Sequence, residues 1–272
     1  MSDGSHYTPG SETELERLQL QARCLEGLTR RLIRESGIGS GMRVLDLGSG
    51  PGDVAFLLAE AVGPSGSVIG VDLEARSVDL ASRRAAQAGY ANVSFAVAGD
   101  DALPADAPFD AAIGRFVLIH QRDPAAMIRR AAAAVRPGGV VAFLEPALHL
   151  EGHSIPELEL VAAATASLKR CMLAALASPD VAGRMIPCFI DAGLPEPKVL
   201  WESVVPGSKD DVWLRSFVLT YKTLLPLMQK FGTVDTRVGD PDTLAGRIMA
   251  EAVARRAQSV TGPFASAWAI KA

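Results

Sequence analysis

Cysteine is scarce: Cys24, Cys171 and Cys188 are the only three, odd in number and scattered along 272 residues. No CxxC spacing links them, which argues against a disulfide framework or a cysteine-built metal centre. They read as reduced, buried thiols of a cytoplasmic protein. Long apolar runs are also missing, since no stretch approaches about 20 uninterrupted apolar residues, and a membrane-spanning helix is not expected. Basic residues form no long stripe and the net charge is −4. A nucleic-acid partner needs such a stripe, so none is expected. The polar, acidic start (MSDGSHYTPGSETELE) lacks the apolar core of a secretory leader.

What remains is a chain rich enough in apolar residues (49%) and modest enough in charge (21%) to bury a large core. Residues 1–10 read as a flexible arm. Leu15, Leu18, Ala22, Leu25, Leu28 and Leu32 then recur at spacings of three and four, which predicts a helix from about Glu12 to Ser36. Strands and helices alternate after that. Strands are predicted at 43–47, 68–71, 93–97, 111–118 and 140–144, with helices at 54–62, 77–88 and 124–135 between them. This alternation implies right-handed βαβ units in a parallel sheet, the mark of an α/β fold. Beyond Glu151 the pattern turns helical, over 155–177, 185–192, 211–231 and 242–258, with strands at 198–205 and 264–270. Pro226 should kink or break the 211–231 helix. The chain shows no internal repeat and no clear interdomain linker, so it reads as one domain. Residues 1–37 would form an arm and lid helix, 38–150 a core, and 151–272 acceptor-side helices with closing strands.

The central signal is Val44-Leu45-Asp46-Leu47-Gly48-Ser49-Gly50-Pro51-Gly52, a strand end running into a helix start. Glycines there allow positive φ and close backbone approach to a ligand. The helix start adds free N–H groups and partial positive charge. Dinucleotide folds use a similar loop. Here, however, the place of their third glycine is taken by Asp53, an acid that would repel a pyrophosphate. Asp46 stands two residues before the first glycine, where a carboxylate could attract a ligand ammonium group. Asp72 ends the second strand and could accept both hydroxyls of a ribose. Asp100 follows the third strand at the carboxyl edge and could accept the amino group of an adenine.

These residues resemble the class I methyltransferases, which take their methyl group from S-adenosylmethionine. VLDLGSGPGD (44–53), VIGVDLE (68–74), FAVAGDDALP (95–104), FDAAIGRFVLIH (109–120) and VRPGGVVAFLEP (135–146) look like the successive motifs of that family. They are most similar to its ubiquinone- and menaquinone-type and small-molecule branch. The resemblance implies a Rossmann-like seven-stranded sheet, order 3-2-1-4-5-7-6, with strand 7 antiparallel, helices on both faces and a helical lid. It places Gly48, Gly50 and Gly52 against the methionine part of the donor, with Asp46 nearby. Asp72 and the adjoining Leu73 would meet the ribose. Asp100 and the backbone of Asp101 would meet the adenine. Arg115 would sit beside the donor through its carbonyl, and Tyr7 would close over it.

Methyl transfer mainly requires that nucleophile and methyl group be aligned, at roughly 3–3.5 Å. A hydroxyl acceptor also benefits from a base. His120, after the fourth strand, is the candidate; its ordinary pKa of about 6.5 suits proton acceptance near neutrality. The bland alternative is a histidine that lines the pocket without chemistry. His149 and His153 lie near Glu145 and Glu151, but Pro146 and Gly152 argue for a loop, and no metal is expected. Arsenite methyltransferases use several cysteines, and the dispersion of these three argues against that branch. Trp213, Phe217, Tyr221, Leu224, Leu225, Met228 and Phe231 read as core packing, or as a lid over an apolar acceptor pocket. The same faces could form a homodimer interface. The favoured function is methylation of a small, fairly apolar acceptor, natural-product or quinone-like, with oxygen the favoured atom. A repurposed member (hydroxylase, decarboxylase or cyclase) and a non-catalytic donor-binding module are the alternatives. An NAD dehydrogenase is poorer still, because of Asp53.

Overall fold

The computed structural model describes residues 12–98, 108–150, 152–206 and 211–272. In chain order the elements are α1 (Glu12–Glu35), β1 (Arg43–Leu47), α2 (Asp53–Val62), β2 (Ser67–Asp72), α3 (Ala75–Ala88), β3 (Val93–Val97), β4 (Phe109–Arg115), α4 (Pro124–Ala134) and β5 (Val135–Pro146). Then follow β6 (His153–Ile155), α5 (Glu159–Ala175), α6 (Met185–Asp191), β7 (Lys198–Glu202), α7 (Asp211–Lys230), α8 (Leu244–Arg255), β8 (Gln258–Val260) and β9 (Phe264–Ile270). They form two compact units.

The first unit holds residues 25–146, 180–201 and 264–272. Its sheet has the order β3-β2-β1-β4-β5-β9-β7. β1 to β5 pair in parallel, and β9 runs antiparallel to β5, with Val140 opposite Ile270 and Pro146 opposite Phe264. This is the Rossmann-like order 3-2-1-4-5-7-6 expected from the motifs, with β7 as its strand 6 and β9 as its antiparallel strand 7. The central strands carry no polar alternation because both faces are covered: Ala111, Ala112 and Ile113 of β4 and Val141, Ala142 and Phe143 of β5 are all buried. α2 packs on β1 and β2 through Val54, Ala55, Leu58 and Val62, and α4 on β4 and β5 through Met127, Ile128 and Ala131. Asp123 caps α4 by accepting from the Ala126 N–H at 2.9 Å, one residue before Pro124. At the other end of α4, the Lys271 ammonium donates to the carbonyls of Ala132 (2.8 Å) and Val135 (2.7 Å).

Of the described residues, the second unit holds 12–24, 147–150, 152–179, 202–206 and 211–263. α5, α7 and α8 enclose a core of Ala163, Leu168, Cys171, Val218, Tyr221, Met228, Leu244 and Ile248. Beside it β6 and β8 make a two-stranded antiparallel ribbon.

Several expectations need correction. β4 ends at Arg115, not Leu118, and a short 3-10 turn over Leu118–His120 follows. β5 begins at Val135, so Arg136 to Gly139 belong to the strand, where a register shift between Phe109 and Ala111 absorbs them. The predicted 155–177 helix begins only at Glu159. Pro156 disfavours helix at Ile155, which is in β6 instead. α7 runs through Pro226 without a break. The predicted 242–258 helix covers only Leu244–Arg255, and its last predicted residue, Gln258, starts β8.

Candidate active site

Four strands deliver their ends to one edge of the sheet. Parallel pairing sets Asp46 of β1 beside Gly70 of β2 and Ile113 of β4, and Arg115 of β4 beside Leu144 of β5. The chain leaves β1 through Gly48 and Gly50, whose φ values of 63° and 50° are left-handed. The loop is fixed by backbone bonds: Ser49 N–H donates to Val71 O, and Gly52 N–H to Ser49 O, each at 2.9 Å.

Asp72 completes the clamp. Its carboxylate accepts from the Gly50 N–H at 2.8 Å and from the Glu74 N–H at 2.9 Å. Each oxygen retains a lone pair for a further donor such as a ribose hydroxyl. Leu73, next in the chain, is 62% exposed, so an apolar surface flanks that carboxylate.

Asp46 differs. It is 1% exposed, and its Oδ2 has no hydrogen-bond partner. Burial pushes its carboxyl up to about 8, and nearby Asp72 pushes the same way. The Arg115 guanidinium and the Ala55 N–H pull it down without cancelling the burial. An orphaned buried carboxylate oxygen is costly, and a cationic ligand group would satisfy it.

Arg115 ends β4 at the same edge. Its guanidinium donates to Thr29 Oγ1 at 3.1 Å, and Asp53 and Asp46 act on it electrostatically. Burial holds its pKa below the ordinary arginine value. After Arg115, Phe116 turns out of the strand at φ 60° and stacks on Phe264, with ring centroids 6.0 Å apart. Val117 follows and packs toward Gly48, where an added Cβ would stand 2.7 Å from Val117 Cγ2. His120 closes the turn, part of its surface in contact with solvent, and desolvation of the rest by its surroundings lowers its pKa from the ordinary value.

The described part of the sheet edge thus brings Asp46, Gly48, Gly50, Gly52, Asp72, Leu73, Arg115 and His120 to one end of the sheet. Tyr7, Asp100 and Asp101 lie outside the described residues. Two residues were missed by sequence reasoning. Glu145 is completely buried and accepts from the backbone N–H groups of Val117, Leu118 and Ile119. An acid closing the apolar run VVAFL was the available signal. Arg84 of α3 donates to the Pro51 carbonyl and, at 2.8 Å, to Asp53 Oδ1, pinning the glycine loop from outside. Among the described residues no cluster of three or more histidine, cysteine or acidic side chains could hold a metal. No described helix is long and apolar enough to cross a membrane.

Known proteins share this arrangement. An arsenite methyltransferase of Aquipseudomonas alcaligenes is 38% identical over 111 residues, covering 38% of this chain and 32% of that protein. The aklanonic acid methyltransferase of a Streptomyces species is 35% identical over 119 residues, covering 43% of this chain and 54% of the relative. The chain therefore spans between a third and about half of the length of these curated relatives. In fold, the crystal structure of the YcgJ protein from Bacillus subtilis superposes with a TM-score of 0.57 at 18% identity, over 90% of this chain and 98% of that one. A family model described as a methyltransferase domain matches residues 38–182, more than half of the chain. On that match, with the sheet order and the glycine loop in agreement, the chain belongs to the methyltransferase domain family.

Proposed function

We propose that this chain is an S-adenosylmethionine-dependent methyltransferase acting on a small, fairly apolar acceptor of the natural-product or quinone-like class, with oxygen as the favoured atom. The observation that carries the donor assignment is the orphaned Oδ2 of Asp46 beneath a left-handed glycine loop. The residues present suit the donor. Asp46 would take its ammonium group, Asp72 its ribose, and Gly48 and Gly50 would let the backbone lie against its methionine part. When bound, the donor supplies a methyl group already activated by a sulfonium.

The protein's own work is then alignment and proton handling. As the acceptor oxygen bonds to the methyl carbon, the carbon–sulfur bond breaks and the hydroxyl must lose its proton. His120, at the end of the turn with its pKa lowered by desolvation, would receive that proton at Nδ1 or Nε2. The aklanonic acid methyltransferase among the relatives supports a small organic acceptor, and the arsenite enzyme keeps a second acceptor class in the test.

The experiment is calorimetric titration with S-adenosylmethionine and S-adenosylhomocysteine, with NADH as control. A screen of hydroxylated quinones, other phenols and arsenite follows, read by mass spectrometry. Micromolar binding of the first two, none of NADH, and a mass gain of one methyl group on a phenol support the reading. No binding of either donor form sinks the donor site. Methylation of arsenite alone sinks the acceptor class.

A further inference from the structure

Glu145 closes β5 in the interior, with 0% of its surface exposed. A buried carboxylate is costly unless it is fully bonded. This one is met by backbone alone: Oε1 accepts from Val117 N–H (2.9 Å) and Leu118 N–H (2.8 Å), and Oε2 from Ile119 N–H (3.3 Å). Sheet packing does not call for an acid there, since Phe143 and Leu144 before it and Ala147 after it are buried apolar residues. The turn does call for one. Three successive N–H groups converge on one spot, and only a side chain with two acceptor oxygens can take all three. A glutamine would turn an N–H₂ toward the Ile119 N–H.

The turn itself is held against its own preference. Phe116 has φ 60°, in the left-handed region that a bulky residue rarely adopts. Its N–H bond to Leu144 O (2.9 Å) and its stack on Phe264 hold one side of the turn. Glu145 holds the other. What the turn carries makes this matter. Val117 abuts the glycine loop at Gly48, and His120 ends the turn.

We propose that Glu145 is a positioning residue: by clamping the 117–119 backbone it sets Val117 against the donor loop and holds His120 at the carboxyl edge of the sheet. Its catalytic consequence rests on the methyltransferase reading, but the clamp itself does not.

The test follows the backbone amides and the His120 ring by NMR, in the wild-type protein and in Glu145→Gln. In the wild type, amides 117–119 should exchange at least tenfold more slowly than those of the adjoining Arg122 and Asp123. In Glu145→Gln they should exchange at least about tenfold faster and the His120 ring signals should move. Amides of β1 and β2 should be unchanged. Ile128→Val, destabilised elsewhere in the same unit, should move neither the amides nor the ring selectively. Unprotected 117–119 amides in the wild type overturn the proposal, and that measurement decides the matter if Glu145→Gln does not fold. A folded Glu145→Gln with unchanged amides and ring signals overturns it as well. Failure of the wild type to bind S-adenosylhomocysteine would instead strike the donor assignment and leave the amide result to stand by itself.

Discussion

Gly48 and Gly50 both lie in the left-handed region, yet they should respond very differently to the same added methyl group. Alanine at either position meets the left-handed penalty, about 1–2 kcal/mol. That term is common to both. Space is not. A Cβ on Gly48 would stand 2.7 Å from Val117 Cγ2, whereas no neighbouring atom lies within 4 Å of the equivalent point on Gly50. Val117 cannot retreat cheaply, because it is buried and its backbone is tied to Glu145 at 2.9 Å. Overpacking of this kind costs typically 1–3 kcal/mol. Gly48→Ala should therefore be less stable than Gly50→Ala by about 1–3 kcal/mol in urea unfolding of the protein without donor. Donor affinity should separate them in the other direction. Gly50→Ala, only mildly destabilised, should lose S-adenosylhomocysteine affinity out of proportion to its stability, because the methyl group points where the donor reading puts the methionine moiety. Equal unfolding midpoints for the two variants would refute the packing argument, and unchanged affinity in Gly50→Ala would refute the donor placement.

The pH dependence has a defined sign. Asp46 is pushed up to about 8 in the folded protein, mainly by burial. The native state therefore keeps a proton that the unfolded chain has released from about pH 4 upward, and stability falls as pH rises from there through 8, by up to about 1.4 kcal/mol per unit. Asp46→Asn should flatten that slope in urea titrations at pH 5.5 and 8; an unchanged slope removes Asp46 as its source. Arg84→Gln should weaken S-adenosylhomocysteine binding about 3- to 30-fold by calorimetry, since it frees Pro51 and Asp53 together, and wild-type affinity would show that the loop does not need this outer tie. His120→Ala should leave donor affinity nearly intact and lower turnover of a hydroxyl acceptor about 10²- to 10⁴-fold. Unaffected turnover means that His120 is not the base.

The parts of the fold that were legible are those decided locally. The run from Val44 to Gly52 shows a strand, a glycine turn and a helix start within nine residues, and Phe264–Ile270 reads as a strand from its apolar composition alone. The parts that were not legible depend on partners far along the chain. The apolar run from Ala111 to Leu118 reads as one strand, but the chain turns at Phe116 because Glu145, 28 residues past Val117, offers its N–H groups a better acceptor than a neighbouring strand does. The β6–β8 ribbon joins two three-residue strands more than a hundred residues apart, too short to leave a period and too distant to leave a turn signal. Pro226 is the converse case. Its local rule is sound, yet α7 continues through it, with Val218, Tyr221 and Met228 from both sides of the proline buried in one core.

The same limit applies to the site, where three acids end three strands and the sequence cannot rank them. Asp46, Asp72 and Glu145 differ in their burial and in which donors reach them, and both are decided by the fold. Glu145 meets three N–H groups in a closed interior, so its capacity is committed to the chain itself. Asp72 meets two, one per oxygen, and stands beside an exposed leucine, so it can both hold the loop and accept from a ligand. Asp46 is as buried as Glu145 but leaves one oxygen unpaired, and a protein tolerates that cost where something else is to fill it. Counting the lone pairs left over, rather than the acids present, separates the residue committed to the chain itself from the two with capacity left for a ligand.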